Sequence, residues 1–193
     1  MGVIFKFGDK DFHTKRWSGG TTTELFIYPP TSSLKKLDFD FRISTATIEV
    51  ENSTFTPLPG VKRGFTLLEG KTKLKHEGHH QLEMKLNEVD EFLGEWKTSS
   101  EGKCTPFNLM TTNNCKGNIH PLFLKRNMKT ELQSKCDFIL IYCNKGNGAV
   151  LNEKQTELSE NELIVLTDSS SDRITFQSHS DAHLVIVYIE LNK

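Results

Sequence analysis

The sequence predicts an all-β fold, a sandwich or a barrel, and three observations lead to this class. Helical periodicity of the apolar residues is almost absent along the 193 residues. Short runs rich in Phe, Ile, Val, Thr and Tyr recur instead. Clusters of Gly, Asn, Asp and Ser separate these runs. Short apolar runs with regular turn signals are typical of antiparallel sheets that pack face to face or close into barrels.

The predicted strands combine β-branched and aromatic residues and are bounded by turn residues. In chain order they are Val3–Phe7, Thr22–Tyr28, Phe39–Ser44, Ala46–Val50, Gly64–Glu69, Gln81–Leu86, Phe107–Thr111, Ile119–Leu124, Thr130–Ser134, Phe138–Cys143, Leu163–Leu166, Arg173–Gln177 and His183–Leu191. The last run is apolar on both faces from Leu184 to Ile189, so we expect a central strand that is covered on both sides.

Length, charge and cysteine usage limit the possible functions. A chain of 193 residues buries roughly 70% of the surface that its unfolded form exposes. A formal net charge of −1 argues against a nucleic-acid binder, which usually carries a basic face. No apolar run approaches the roughly 20 residues of a membrane span, and we find no export signal. We therefore expect a cytoplasmic protein without a nucleic-acid or membrane partner.

Four cysteines have spacings that match no metal-binding or redox pattern, namely Cys104, Cys115, Cys136 and Cys143. We expect free thiols that are mostly buried as small hydrophobic groups. No arrangement of Ser, His and Asp or of Cys and His for nucleophilic catalysis can be assembled from the spacings.

A faint internal repeat indicates two copies of one β-module. The apolar run at Phe65–Gly70 and the run at Phe138–Cys143 each open a segment of strand and polar turn. Two such modules fit two stacked barrels. We predict a single unit over residues 1–193 with closely packed halves of about 1–103 and 104–193, joined at Ser99–Lys103.

Two arginines lie in apolar strand contexts and are candidate ligand anchors. Arg63 follows a strand breaker that contains Pro59 and Gly60, and it shares a strand face with Phe65. Arg42 lies between apolar residues of another predicted strand. If both guanidinium groups converge, they suit bidentate binding of a carboxylate. The alternative is structural, with Arg63 in an ion pair and Arg42 paired with a nearby acidic residue, Asp40 or Glu24.

The segment Trp17–Pro30 is unusually rich in polar side chains and contains Gly19-Gly20. On a regular strand one face would carry Thr22, Glu24, Phe26 and Tyr28. A threonine and a carboxylate beside two aromatic rings suit hydrogen bonding to a small polar ligand. The alternative is an edge strand in which threonine serves β-propensity.

A third cluster has the residue types of a metal site, namely His76, His79, His80 and Glu83. Barrel metalloenzymes use histidine pairs with a glutamate. However, His79 and His80 are adjacent and therefore point to opposite faces of a strand. A polar hairpin tip is the simpler interpretation, and we expect neither a metal nor another cofactor.

Taken in order, these motifs give the chain a resemblance to the HutD/Ves family of bacterial proteins. The matching features are Trp17 with the glycine-rich turn and Thr22-x-Glu24, Phe41-Arg-Ile-Ser44, Pro59-Gly-x-x-Arg63, Leu67-Leu-Glu-Gly70 and Phe107-Asn-Leu-Met110. The resemblance implies a bicupin, two fused cupin-type barrels or sandwiches of the RmlC-like jelly-roll kind. It also implies a pocket in the first barrel, lined by Trp17, Thr22, Glu24, Arg42, Arg63 and Asn108.

Members of the family are associated with histidine utilisation, which makes urocanate and N-formylglutamate the expected ligands. We therefore expect a non-catalytic protein that binds a small acidic metabolite. Two alternatives remain open. One is a metal-dependent cupin enzyme, an isomerase or oxygenase, that uses His76, His80 and Glu83. The other is a protein-interaction module.

Overall fold

The computed structural model describes residues 3–132, 135–151, 155–167 and 174–192. Within these ranges the chain forms β-strands, a short 3₁₀ helix at Asp9–Asp11 and no α-helix, which confirms the all-β prediction. No helix of the described residues is long and apolar enough to cross a membrane.

The strands, in chain order, are β1 (Ile4–Phe7), β2 (His13–Trp17), β3 (Gly20–Tyr28), β4 (Phe41–Ile48), β5 (Asn52–Thr54), β6 (Lys62–Gly70), β7 (Thr72–His76), β8 (Gln81–Met84), β9 (Val89–Leu93), β10 (Thr98–Glu101), β11 (Cys104–Thr111), β12 (Cys115–Leu124), β13 (Lys129–Glu131), β14 (Phe138–Lys145), β15 (Asn147–Leu151), β16 (Gln155–Ser159), β17 (Leu163–Thr167), β18 (Thr175–Ser178) and β19 (Ala182–Leu191). The chain divides into two compact units. One spans residues 12–116, and the other spans residues 117–191 together with β1 and the 3₁₀ helix.

The 12–116 unit contains a six-stranded sheet in the order β2-β3-β4-β11-β6-β9 and a four-stranded sheet in the order β5-β10-β7-β8. Every strand pair in both sheets is antiparallel. Phe65 and Leu67 of the larger sheet share one core cluster with Leu74 and Met84 of the smaller sheet. The unit is therefore a sandwich whose core lies between its two sheets.

The 117–191 unit contains a five-stranded sheet in the order β1-β17-β14-β19-β12 and a four-stranded sheet in the order β13-β18-β15-β16. Its core cluster joins Ile141 and Ile186 of the first sheet to Val150 and Phe176 of the second. β19 lies between β14 and β12 and is buried from Ala182 to Ile189, which confirms the predicted central strand.

Several strand predictions need correction. Phe39–Ser44 and Ala46–Val50 were expected as two strands but form one strand, β4, because no breaker residue interrupts the ladder. In the part of the chain that the structure describes, the sequence prediction missed seven strands, most of which are short and polar, namely β2, β5, β7, β9, β10, β15 and β16. The predictions Thr130–Ser134 and Arg173–Gln177 extend beyond the described residues, and their described parts lie at β13 and β18.

The boundary between the units also differs from the predicted one at 103/104. β11 belongs to the 12–116 unit because it forms hydrogen bonds with β4 on one side and β6 on the other. β1 belongs to the other unit because it pairs with β17. The boundary therefore falls inside β12, after Lys116.

Candidate functional site

A cavity of about 250 Å³ lies within the 12–116 unit. Its wall includes side chains of β3, β4, β6 and β11 from the larger sheet and of β5 from the smaller one. Five of the six predicted site residues line it, namely Trp17, Thr22, Arg42, Arg63 and Asn108. The sixth, Glu24, is hydrogen-bonded to Arg42. The structure therefore brings the predicted residues together.

The strand register explains why the two arginines converge. Arg42 on β4 and Arg63 on β6 are both paired with Met110 of β11, the strand between them. Residues directly opposite one another project from the same face of a sheet, and neighbouring strands are about 4.8 Å apart. Both arginine side chains therefore leave the same face, two strands apart. In the next row, Ser44 lies opposite Asn108 and adds a hydroxyl and an amide.

Arg42 is held in a network of its own. Its side chain is buried, its Nε donates to Glu24 Oε2 at 2.6 Å, and its Nη1 donates to Ser44 Oγ at 2.9 Å. Of the two acidic partners considered for its structural role, Glu24 is therefore the one that it contacts. A carboxylate that pairs with a buried guanidinium offsets part of the cost of burying the charge.

Arg63 has a different environment. Its residue is 8% exposed, and its Nη2 donates to Asn108 Oδ1 at 2.8 Å. Its Cζ lies 4.8 Å from the ring centre of Phe55 and 5.2 Å from that of Phe92. Among the described residues, its buried Nε has no hydrogen-bond partner and its guanidinium has no carboxylate. Burial, together with nearby Arg42, lowers the pKa of Arg63 to about 10, so the group stays cationic at neutral pH.

The two glycines after Trp17 permit close approaches of the chain. A Cβ on Gly19 would overlap the indole ring of Trp17, which is 37% exposed and lines the cavity. Gly20 has a φ of +149°, and a Cβ there would overlap the carbonyl oxygen of Thr47. Only glycine meets both demands at this turn.

The shared strand face predicted in β3 is wrong for the set Thr22, Glu24, Phe26 and Tyr28. The pairing of β3 with β4 shifts at Leu25, which is a β-bulge. Because side chains alternate along a strand, residues beyond a bulge project from the opposite face. Both aromatic rings stack on Phe41, at centroid distances of 5.8 and 5.5 Å. The polar pair is therefore separated from the two aromatic rings.

The four residues considered as metal ligands lie outside the cavity lining, namely His76, His79, His80 and Glu83. His76 and His80 both contact Asp90 of β9. The ring of His79 stacks on Trp96 at 3.7 Å between centroids. Glu83 is exposed on β8.

Sequence reasoning missed four residues that shape these sites, namely Ser44, Phe55, Asp90 and Met110. The sequence did mark His76, which was considered, because lysines alternate with Thr72, Leu74 and His76 along β7, and these three residues are buried. No comparable pattern marks Asp90, because acidic and apolar residues do not alternate along β9.

Comparisons with known proteins agree with this description. The HutD family model matches residues 9–186. The fold is similar to that of PA5104 from Pseudomonas aeruginosa, with a TM-score of 0.85 and 15% identity over 99% of this chain and 100% of that chain. HutD from Pseudomonas fluorescens gives a TM-score of 0.77 and 18% identity, again over 99% of this chain and 100% of that chain.

A third similar structure is the pirin YhhW from Escherichia coli, which was solved in complex with nickel(II). It gives a TM-score of 0.71 and 12% identity over 96% of this chain and 98% of that chain. No curated protein sequence matches the chain. At these identities, the structural likeness establishes a cupin-like fold and nothing finer.

Proposed function

This chain belongs to the HutD family, and from that premise we propose that it is a non-catalytic cytoplasmic protein that binds a small carboxylate. We propose urocanate or N-formylglutamate as the ligand, bound so as to limit flux through histidine utilisation. We also propose a bicupin architecture, with one cupin-type barrel in each unit.

The environment of Arg63 is the observation on which the proposal depends. A cationic guanidinium that is 8% exposed has an amide oxygen as its partner, while its Nε–H has none among the described residues. An isolated buried charge costs several kcal/mol. A ligand carboxylate would offset this cost, since arginine binds carboxylates through two parallel hydrogen bonds.

The rest of the cavity supports the same class of ligand. Arg42 adds a second guanidinium, which is oriented by its ion pair with Glu24. Thr22 and Asn108 offer uncharged groups to a ligand amide or imidazole, and Trp17 contributes a wall. A volume of about 250 Å³ lies just below the roughly 300–1,000 Å³ of sites for drug-sized ligands and suits a small metabolite.

The alternative, a metal-dependent cupin enzyme, receives less support at this cavity. That reading needs histidines and a glutamate in the barrel, whereas the cavity carries arginines. The glutamate that it invoked, Glu83, is exposed and is absent from the cluster of candidate ligand atoms in the described residues.

Calorimetric titration with urocanate, N-formylglutamate, glutamate and histidine, each with and without EDTA, tests the proposal. The same acid should also stabilise the protein against unfolding. At about 100 times its Kd, it should raise the free energy of unfolding by about 2.7 kcal/mol. Arg63→Met should weaken binding at least about 30-fold, because losing a buried charged partner costs about 2 kcal/mol or more.

Arg16→Met is the matched control, since Arg16 is an exposed arginine in an ion pair with Glu49. It should leave the affinity unchanged. Unchanged affinity in Arg63→Met, or no response to any of the acids, would overturn the proposal.

A further inference from the structure

The 12–116 unit contains a second polar cluster, in which the imidazoles of His76 and His80 flank the carboxylate of Asp90. Asp90 Oδ2 lies 2.8 Å from His76 Nε2, and Asp90 Oδ1 lies 2.9 Å from His80 Nε2. The three potential ligand atoms lie within 4.8 Å of one another. The side chains of His76 and Asp90 are buried, whereas that of His80 is 40% exposed. The cluster is therefore buried on one side and accessible to solvent on the other.

The charge of Asp90 is poorly compensated. Its residue is 7% exposed, and in the described part of the chain its ion-pair and hydrogen-bond partners are the two imidazoles. No lysine or arginine of the described residues contacts it. A buried carboxylate requires a positive partner, because its desolvation costs several kcal/mol.

Thr98 orients the imidazole of His76. Thr98 Oγ1 donates to the carbonyl oxygen of Trp96 at 3.3 Å and lies 2.8 Å from His76 Nδ1. The imidazole of His76 therefore has a polar partner at each ring nitrogen, with Thr98 at Nδ1 and Asp90 at Nε2. An outer hydrogen bond to one ring nitrogen, as Thr98 makes here, fixes the ring orientation and is typical of metal-binding histidines.

We propose that His76, His80 and Asp90 bind a divalent first-row transition metal ion of the Zn²⁺ and Co²⁺ class. Two imidazole nitrogens and one carboxylate oxygen suit such ions, whereas Mg²⁺ and Ca²⁺ prefer oxygen ligands. Ligands at about 2.1 Å in a tetrahedron lie about 3.4 Å apart. The two contacts between Asp90 and the imidazoles are shorter than this, at 2.8 and 2.9 Å, so these ligand atoms would move apart by about half an ångström to seat the ion. Three protein ligands leave one position for water or another ligand.

Two buried thiols compete poorly for the same ion. Burial raises the pKa of the Cys104 thiol to about 11 and that of the Cys143 thiol to about 12, so both stay protonated at neutral pH. A thiol must lose its proton before it binds a metal. The neighbouring His79 stacks on Trp96 outside the cluster and provides a matched control.

Titration of untagged, EDTA-treated full-length protein with Co²⁺, followed by visible absorption, and with Zn²⁺, followed by calorimetry, tests the site. We expect one equivalent to bind, with no competition from excess Mg²⁺. His80→Ala alters a half-exposed residue and should abolish this binding without loss of the fold, whereas His79→Ala should retain it. Thr98→Val should weaken affinity about 10–100-fold while keeping all three ligands.

Absence of saturable binding, or equal losses in His79→Ala and His80→Ala, would overturn the proposal. Arg63→Met separates this test from that of the proposed acid-binding function. It removes the acid anchor and should leave metal affinity unchanged, so either proposal can fail while the other stands.

Discussion

Replacing the Arg63–Asn108 pair with apolar residues should stabilise the protein while it removes ligand binding. The variant Arg63→Met/Asn108→Leu keeps similar side-chain volumes and removes both members of the hydrogen bond at 2.8 Å. Arg63 contacts the rings of Phe55 and Phe92, so a methionine at this position has apolar neighbours.

The magnitude follows from the burial of the charge. Lowering the pKa of Arg63 to about 10 corresponds to about 3 kcal/mol of destabilisation of the charged form. The double variant removes this cost. It also loses the two cation–π contacts, which together contribute about 1 kcal/mol, and the hydrogen bond, which contributes about 1 kcal/mol. Replacing buried polar networks with apolar residues is often stabilising by roughly 1–4 kcal/mol. We therefore expect a gain of about 1 kcal/mol in the free energy of unfolding.

Urea denaturation of the ligand-free protein measures this gain as a higher midpoint with an unchanged slope. Arg42→Met is the contrasting variant, since it leaves Glu24 without its partner. It should destabilise the protein by about 2 kcal/mol, which is below the 3–5 kcal/mol of fully buried pairs because the side chain of Glu24 is 25% exposed. A double variant that loses more than about 1 kcal/mol would refute the reasoning, because Arg63 would then be a structural residue.

Three further predictions concern other parts of the chain. Burial and nearby Lys145 lower the pKa of His183 to about 4. The free energy of unfolding should therefore be constant above about pH 6.5 and decrease by up to about 3 kcal/mol as the pH falls toward 4. Urea denaturation at a series of pH values should show this decrease, and His183→Gln should remove most of it. Gly20→Ala should cost at least about 1 kcal/mol, measured by the same denaturation, because its Cβ would overlap Thr47. Burial raises the pKa of the Cys143 thiol to about 12, so a thiol reagent should label it far more slowly in the native protein than in urea, and comparable rates would contradict its burial.

The sequence predicted the identity of the site residues better than their arrangement. Arg42 and Arg63 were recognisable because a charged residue among apolar strand residues requires a partner or a ligand. Their convergence depends on Met110, which pairs with both arginines across neighbouring strands and lies 47 residues after Arg63 in the sequence. Register between distant strands is set by the whole sheet, so no local pattern could reveal it.

Local patterns also failed where one residue changed the geometry. The bulge at Leu25 reverses the face of the residues that follow it, and nothing in the neighbouring sequence marks the position, since no glycine is present there. The contact between Asp90 and the histidines could not be predicted for a similar reason. It approaches His76 through packing between two sheets, whereas Glu83 was considered because it is close to the histidines along the chain.

The two polar clusters of the 12–116 unit share one aromatic neighbour, Phe92. Its ring centre lies 5.2 Å from Arg63 Cζ and 4.5 Å from the ring centre of His76. Movement of His76 toward a metal ion would therefore displace the ring of Phe92, which also packs against the guanidinium of Arg63. Any change in acid affinity caused by the metal must be matched by an equal change in metal affinity caused by the acid, because binding free energies are linked reciprocally. This linkage acts only when the acid is bound, so it leaves the expected metal affinity of acid-free Arg63→Met unchanged.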